Sequence, residues 1–452
     1  MHVGQEVAEY ICTTPFDDFP KDVVEKAKFC IIDSIGVALY GSRFEAAQIL
    51  LSLAKEIGGR EESTILGSTL KVPASFAALA NGVSLHVAEY DDYMFWMQGH
   101  PSAVIMPTSL ALCEALGTSG KTLLSAFILG TEVGGKLGKV MKGSHYEAGW
   151  HGTGTIGTIA AAAAAARAFN LSREQTTNAL AIAASSAAGL RENFGTMTKS
   201  YHVGQAARNG ILAAQLAKKG FTASPNIFEG PSGFFNTFSG TGDPASLPKE
   251  LGEPYALKNV AFKKYPSCAG THTAVDAIFD LKERVVFKPE EVEEIECRVR
   301  PVLPSVLIHP DPQNELEAKF SMQFCVSAAL VFGQLGIAQF DTKLIRSPQI
   351  QKVMKKVRMV SDPALEKLSS EMNVLAPIEL TLKLTNGKQY VKKVVEAKGG
   401  SSNPMEHHEL ESKFVECASW LLSPSQSKAV LEMLLRIETL EKLSDLIEAF
   451  YP

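Results

Sequence analysis

The sequence predicts a mainly α-helical protein with a smaller α+β domain. Apolar residues recur at helical spacing from about residue 18 to about 260, strand-like alternation follows, and a helical pattern returns beyond residue 400. We therefore expect a large all-helical domain, formed by residues 1–264 and 400–452, that carries both termini. An inserted α+β lid domain, residues 265–399, is expected to hold a small antiparallel sheet, and its length is usual for a domain.

The helical domain is predicted from periodicity and from helix start and stop signals. Pro20 opens a first helix, because proline is tolerated in the first helical turn. A second helix runs from Phe44 to Ile57 and ends at a Gly-Gly pair. Ser172 and Gln175 form a capping box, which marks another helix start. The alanine-rich run after Gly157 is a strong helix former, and we expect it to be buried at the centre of the domain.

The α+β domain is predicted from alternation of apolar and polar residues. Residues 295–299 alternate as in a half-buried strand. Residues 378–384 alternate in the same way, and Asn386-Gly387 then turns the chain into a second strand, a strong hairpin signal. A helix over residues 317–332 separates these strands.

Composition excludes several classes of protein. The chain is 46% hydrophobic and 21% charged, with a net charge of −5, which is typical of a globular protein and gives no sign of a nucleic-acid partner. The N-terminus does not read as a secretory signal, and the longest apolar run, residues 159–166, is too short to span a membrane. The 7 cysteines form no CxxC pair, which indicates reduced thiols. We expect a soluble, cytoplasmic protein that binds no membrane.

Residues 81–103 contain the most informative chemistry, because carboxylates and a histidine lie among aromatic and methionine side chains. Charged groups beside so much apolar surface must be paired, hydrogen-bonded or shifted in pKa. The segment therefore predicts an active-site wall. The carboxylates could hold Mg²⁺, but hydrogen bonds to the backbone and to cations are a simpler use. The candidates are Glu89, Asp91, Asp92 and His100, with Tyr93 as a further substrate contact.

Residues 152–157 match GxGxxG, a pattern found in dinucleotide-binding proteins. No apolar strand precedes the motif and no βαβ pattern surrounds it, which argues against a nucleotide. The remaining interpretation is a helix start whose backbone N–H groups suit a carboxylate. His151, immediately before the motif, is either a catalytic candidate or a structural histidine.

Residues 198–210 bring together Lys199, His202 and Arg208. Lysine and arginine could fix the carboxylates of an acidic substrate. Alternatively, these cations pair with Asp91, Asp92 or Glu192 and stabilise the fold. We prefer the pairing for Arg208 and a functional role for Lys199.

Residues 262–272 lie where the composition changes, and ligands commonly bind at such junctions. Cys268 is either a thiol acid/base or an inert buried cysteine. The sequence His407-His408-Glu409 does not match HExxH, so a metal is not expected there. The binding candidates in this segment are Lys263, Lys264 and His272.

Taken together, these segments resemble the MmgE/PrpD family, which includes 2-methylcitrate dehydratase, cis-aconitate decarboxylase and iminodisuccinate epimerase. The resemblance begins near residues 31–42 and ends near 398–405, so it covers most of the chain. It implies a helical domain with a smaller lid domain, a homodimer, no metal and no organic cofactor.

The resemblance to the decarboxylase site extends to four positions and fails at three. His100, His151, Lys199 and Lys263 match it. Glu89 stands where the decarboxylases have Asp, and Cys268 stands where they have a catalytic His. Pro304 falls near the position of their active-site Tyr. These differences disfavour decarboxylation.

Our hypothesis is a cofactor-independent lyase that dehydrates a β-hydroxy polycarboxylate, as 2-methylcitrate dehydratase does. One base takes the proton α to a carboxylate, Lys199 and helix N–H groups hold that carboxylate, and a protonated His151 or His100 assists the departing hydroxide. The alternatives are an epimerase of an iminodisuccinate-type dicarboxylate, a cis-aconitate-type decarboxylase and a non-catalytic carboxylate-binding relative. The catalytic candidates are His100, His151, Lys199, Asp91 and Cys268.

Overall fold

The computed structural model describes residues 1–238 and 241–451. The chain divides into two compact units, the first formed by Met1–Asn193, Met197–Val260 and Glu406–Pro452, and the second by Phe194–Thr196 and Ala261–Met405. The domain boundaries predicted from the sequence follow residues 264 and 399, whereas the boundaries between the two units in the structure follow residues 260 and 405.

Helices dominate the first unit, and the second combines helices with a sheet. In chain order the α-helices are α1 Val3–Thr13, α2 Lys21–Gly41, α3 Glu45–Ile57, α4 Ala74–Val87, α5 Pro101–Leu116, α6 Gly120–Met141, α7 Ser144–Glu147, α8 Gly152–Ala168, α9 Arg173–Ser185, α10 Met197–Lys218, α11 Phe234–Phe238, α12 Leu247–Glu250, α13 His272–Arg284, α14 Glu315–Ala318, α15 Met322–Phe332, α16 Thr342–Ile345, α17 Pro348–Met354, α18 Pro363–Met372, α19 His407–Ala418, α20 Pro424–Leu435 and α21 Ser444–Glu448. The strands are β1 Ser63–Thr64, β2 Lys71–Val72, β3 Tyr93–Met94, β4 Val260–Ala261, β5 Val292–Val299, β6 Val357–Ser361, β7 Ile378–Leu384 and β8 Gln389–Val394.

Helix α8 is the centre of the first unit, as predicted from its alanines. Every residue from Gly152 to Ala166 is buried, and the helix contacts α5, α6, α9 and α10. Small side chains make these contacts close. A Cβ added at Gly210 of α10 would lie 2.3 Å from Cβ of Ala161, and one added at Gly134 of α6 would lie 2.9 Å from Cβ of Ala160. Helix backbones therefore approach α8 at distances that larger residues would prevent.

Several predicted helix boundaries are confirmed. Helix α2 begins directly after Pro20, and α3 begins at Glu45 and ends at Ile57, followed by Gly58 with φ 62°. The capping box at the start of α9 is formed, since the Ser172 side chain accepts from the backbone N–H of Gln175. These boundaries follow from local chemistry alone, which explains why the sequence predicts them.

The second unit contains a four-stranded sheet in the order β6-β5-β7-β8. Strands β7 and β8 form the predicted antiparallel hairpin, and Gly387 in its turn has φ 83°. Strand β5 pairs antiparallel with β7, and its alternation predicted from the sequence is confirmed. Strand β6 was not predicted, and it adds a parallel pairing at the edge of the sheet.

The helix predicted over residues 317–332 is wrong in one respect. The segment forms two helices, α14 and α15, because the Ser321 side chain accepts a hydrogen bond from the Phe324 backbone N–H at 3.1 Å and starts a new helix. The mainly α fold with a smaller α+β unit is confirmed. Within the described part of the chain, no helix combines the length and the apolar character that a bilayer crossing needs.

Candidate active site

Four helix ends of the first unit bring histidines and a lysine together. His86 lies in the last turn of α4, and His100 and His151 directly precede α5 and α8. Lys199 and His202 lie in the first turns of α10. The ring centroid of His86 is 4.6 Å from that of His100 and 6.0 Å from that of His151. The structure therefore joins residues separated by more than a hundred positions into one cluster, which we call the histidine cluster: His86, His100, His151, Lys199 and His202.

Asp91 links two members of this cluster. Its Oδ2 lies 2.7 Å from Nδ1 of His86 and 3.2 Å from Nδ1 of His100. Nδ1 of His100 also lies 2.7 Å from the backbone carbonyl oxygen of Asp92. A carbonyl oxygen and an ionised carboxylate only accept hydrogen bonds, so Nδ1 of both rings must carry the proton. In each neutral ring, Nε2 is then the nitrogen with the free lone pair.

Burial keeps the deeper rings neutral. Loss of solvation lowers the pKa of His86 to about 4, against the opposing effect of Asp91. Burial, followed by the nearby ammonium of Lys199, places the pKa of His151 well below its usual value. The same two causes lower the pKa of His202. At neutral pH these three rings are neutral and can act as bases or as neutral hydrogen-bond donors.

Glu89 and Lys199 form a buried ion pair beside the rings. Nζ of Lys199 donates to Oε1 of Glu89, and each side chain is 6% exposed. Oε1 of Glu89 lies 3.9 Å from Nε2 of His86. Glu89 has φ 53°, a left-handed conformation that costs a non-glycine residue about 1–2 kcal/mol. The strained turn directs the carboxylate towards Lys199, which couples the backbone at residue 89 to the cluster.

Asp92 has a structural contact. Its carboxylate accepts hydrogen bonds from the backbone N–H of Ser102, at 3.2 Å, and from the Ser102 hydroxyl, at the start of α5. Burial raises the pKa of Asp92 to about 7, although the Ser102 hydroxyl opposes this shift. Because α5 begins directly after His100, these bonds help to fix the position of that ring.

His151 and His202 form a second pair of rings. Their Nδ1 atoms lie 3.2 Å apart, so one of them carries a proton and the other accepts it. The glycines after His151 do not support the predicted carboxylate cradle. A Cβ on Gly152 would lie 2.4 Å from the carbonyl oxygen of Met97. The backbone near residue 97 therefore occupies the space beside the start of α8, and Gly152 permits that close approach.

Two predicted binding residues differ in their relation to the cluster. Tyr93 is half-buried in β3, directly after Asp92. Arg208 is exposed and follows Lys199 by nine positions, which is about half a turn around the helix at about 100° per residue. Arg208 therefore faces away from the cluster, which supports neither a substrate contact nor a pairing with the buried Asp91 or Asp92.

The other predicted residues belong to the second unit. Lys263 is fully buried, whereas Lys264 lines a cavity of about 640 Å³ together with Lys392 and Asp280. Cys268 is partly buried, and its backbone N–H donates to the carbonyl oxygen of Lys319 at 2.9 Å. His272 is buried at the start of α13, with Nε2 3.2 Å from the carbonyl oxygen of Ser267. A role in the site stays a prediction for all four residues: Lys263, Lys264, Cys268 and His272.

Two family models match the chain. The MmgE/PrpD N-terminal domain matches residues 5–247, and the MmgE/PrpD C-terminal domain matches residues 265–439.

The chain belongs to the MmgE/PrpD family.

Curated relatives of this MmgE/PrpD protein include two kinds of lyase. Cis-aconitate decarboxylase of Homo sapiens is 31% identical over 436 residues, which cover 93% of this chain and 89% of the relative. The cis-aconitate decarboxylase of Aspergillus terreus is 26% identical over 474 residues, covering 99% and 95%. The 2-methylcitrate dehydratase of Escherichia coli strain K12 is 24% identical over 420 residues, covering 86% and 84%.

Sequence reasoning missed two residues of this MmgE/PrpD protein that contact the segment of residues 89–91. His86 is a lone histidine on a buried helix, which commonly indicates a structural role. Lys413, in α19, donates to the carbonyl oxygen of Tyr90 at 2.7 Å and lies 2.7 Å from Oδ1 of Asp33. It is 323 residues from Tyr90 in sequence. For His86, the only available signal is the presence of Asp91 five positions later.

Two histidines of the histidine cluster and Asp91 are candidate metal ligands among the described residues. His86, Asp91 and His100 each offer one ligand atom, and these atoms lie within 4.8 Å of one another. However, Nδ1 of His86 and Oδ2 of Asp91 are 2.7 Å apart, a hydrogen-bond distance with a proton between the atoms. The arrangement fits a hydrogen-bonded network better than a metal centre. The absence of a metal cofactor stays a prediction.

Proposed function

We propose that this MmgE/PrpD protein is a cofactor-independent lyase that removes the proton α to a carboxylate of a di- or tricarboxylate. The reaction we favour is dehydration of a β-hydroxy substrate, as in 2-methylcitrate dehydratase. The observation that supports this proposal is the position of His100, whose Nδ1 lies 2.7 Å from a carbonyl oxygen and 3.2 Å from a carboxylate oxygen. Its Nε2 therefore presents a lone pair, as a general base requires.

His100 is the base in this mechanism because of its position. Its side chain is 15% exposed, whereas that of His86 is 0% exposed. Asp91 stabilises the imidazolium that forms when His100 takes the proton, in the manner of a carboxylate behind a catalytic histidine. Such a base typically contributes about 10²–10⁴-fold to the rate.

Lys199 and His151 supply the other two functions. The ammonium of Lys199 holds the substrate carboxylate on which negative charge accumulates. Because burial keeps His151 neutral, it stabilises the departing hydroxide by donating a hydrogen bond while keeping its own proton, rather than as the imidazolium expected from sequence. Its Nδ1 contact with His202 at 3.2 Å allows the pair to exchange a proton.

Decarboxylation is the second candidate function. It is favoured by the 31% identity to human cis-aconitate decarboxylase, which exceeds the 24% identity to the dehydratase of Escherichia coli. The substitutions at Glu89 and Cys268 weigh against it. An epimerase, which needs the same proton abstraction, and a non-catalytic carboxylate-binding protein remain alternatives. We also propose a cytoplasmic homodimer.

One experiment separates these reactions. A panel of polycarboxylates, including 2-methylcitrate, citrate and cis-aconitate, is incubated with the protein in deuterated buffer and followed by NMR. A dehydratase produces an alkene from a hydroxy acid, a decarboxylase releases CO₂, and an epimerase introduces deuterium into recovered substrate without an alkene. If a thermal-shift assay shows that a polycarboxylate stabilises the protein while NMR detects no reaction, the chain is a binding protein and the proposal is contradicted.

A further inference from the structure

His86 is a buried histidine without a direct part in the proposed reaction. Its residue exposure is 0%, and Nδ1 donates to Asp91 at 2.7 Å. Among the described residues, nothing makes a hydrogen bond to Nε2. Leaving a buried polar atom without a partner costs about 1–3 kcal/mol. Because the fold accepts this cost, we infer that the hydrogen bond from the other nitrogen, Nδ1, to Asp91 has a function.

That contact is with an oxygen shared by two rings. Oδ2 of Asp91 is 2.7 Å from Nδ1 of His86 and 3.2 Å from Nδ1 of His100. Nδ1 of His86 donates to this oxygen, whereas the N–H of His100 has its nearer acceptor in the backbone carbonyl oxygen of Asp92, at 2.7 Å. Asp91 itself is 0% exposed, and a buried carboxylate that loses a donor must move or change its protonation. His86 is thus placed to control where the negative charge behind His100 lies.

We propose that His86 is a positioning residue, which donates from Nδ1 to hold the Asp91 carboxylate beside Nδ1 of His100, where its charge stabilises the imidazolium that forms when His100 takes the proton. The inference rests on the proposed function, since it assumes that His100 is the base. It assigns no substrate contact to His86, in agreement with the complete burial of its ring. Partners that orient a functional imidazole commonly change activity by about 10-fold to 100-fold when they are removed.

Two substitutions separate the nitrogens of His86. The side-chain nitrogen of asparagine lies the same number of bonds from Cβ as Nδ1, and that of glutamine corresponds to Nε2. His86→Asn therefore retains the donor to Asp91 and deletes the unpartnered atom, whereas His86→Gln shifts the donor away from Asp91. We expect His86→Gln to lower kcat about 10-fold to 100-fold with KM nearly unchanged. We expect His86→Asn to stay within about threefold of the wild-type kcat, since it keeps the orienting contact.

A second measurement needs no substrate. NMR of the ligand-free protein labelled with ¹⁵N-histidine reports which nitrogen of His100 carries the proton, and the His100→Asn variant assigns the signal. We expect the His100 ring nitrogen signals of His86→Asn to match those of the wild type, and those of His86→Gln to move, because the Asp91 carboxylate is no longer held beside Nδ1. An unchanged His100 signal in His86→Gln, or equal kcat losses in both variants, would overturn the inference. If the wild type converts no polycarboxylate, the proposed function fails, whereas the NMR comparison still decides the inference.

Discussion

Nζ of Lys413 lies 2.7 Å from the backbone carbonyl oxygen of Tyr90. The same ammonium lies 2.7 Å from Oδ1 of Asp33 in α2 and 4.0 Å from the centre of the Tyr90 ring. Tyr90 stands between Glu89 and Asp91, so a lysine from the C-terminal part of the first unit fixes the turn that carries both carboxylates. The side chains of Lys413 and Asp33 are 3% and 0% exposed.

Lys413→Met is expected to destabilise the protein strongly, because it leaves the buried Asp33 carboxylate without its cation. Breaking such a pair from one side typically costs about 3–5 kcal/mol. Urea unfolding measures the loss, and turnover should also fall because the turn at Tyr90 loosens. The double variant Asp33→Asn/Lys413→Met should recover part of the stability. A Lys413→Met protein that unfolds at the wild-type urea concentration would show that the pair contributes little.

His100→Asn is expected to lower kcat by about 10²–10⁴-fold, the range for a general base. Asparagine retains a donor near the position of Nδ1, towards Asp92 and Asp91, but lacks the lone pair of Nε2. The matched control is His408→Asn, because His408 is exposed in α19. Steady-state kinetics with the substrate identified by NMR provide the measurement. Wild-type turnover in His100→Asn would remove His100 from the mechanism.

His145 should make the folded state sensitive to acid. Burial lowers its pKa to about 4, whereas an unfolded histidine has a pKa of about 6.5. The unfolded chain therefore binds a proton that the folded chain does not, and stability from this residue is lost as the pH falls from about 6.5 towards 4. Between pH 8 and pH 5 the loss is about 2 kcal/mol. In His145→Gln this loss is absent, so the stability difference from the wild type should shrink by that amount.

Urea unfolding of both proteins at the two pH values measures this effect, because other titrating groups contribute equally to each protein and cancel. His408→Gln serves as the control and should follow the wild type at both values. A constant difference between wild type and His145→Gln would mean that His145 has a similar pKa in both states.

Removal of divalent cations is expected to leave activity unchanged. The nitrogen of His86 nearest to Asp91 already carries a proton in the 2.7 Å hydrogen bond, so a cation would have to break that bond. The protein is treated with a chelator, dialysed and assayed, and its metal content is measured before and after treatment. Stoichiometric metal in the purified protein, lost together with activity, would contradict the expectation.

Local chemistry made much of the fold predictable. Capping at Ser172, the turn at Gly387 and the burial of α8 depend on residues within a few positions of one another. The break at Ser321 was missed, because apolar periodicity continues across it and only the serine side chain signals a new helix. Strand β6 was missed since its partner lies about sixty residues away, and a pattern of five residues does not reveal such pairing.

The site was less predictable for a related reason. His86 and Asp91 meet because the chain reverses at Glu89, whose φ of 53° no residue pattern indicates. Lys413 reaches Tyr90 only through the packing of α19 on α2. Arg208 is a different case, because the helical repeat already places it half a turn away from Lys199. That repeat alone indicates that Arg208 and Lys199 lie on different faces of α10.

The tight surroundings of α8 restrict how this scaffold can be altered. Because a Cβ at Gly134 or Gly210 would clash with its alanines, random mutagenesis of these positions should produce mainly aggregated protein. Laboratory evolution towards a different acid should therefore leave α8 and the glycines that face it unchanged. A library that preserves these positions should yield many more folded clones than one directed at α8.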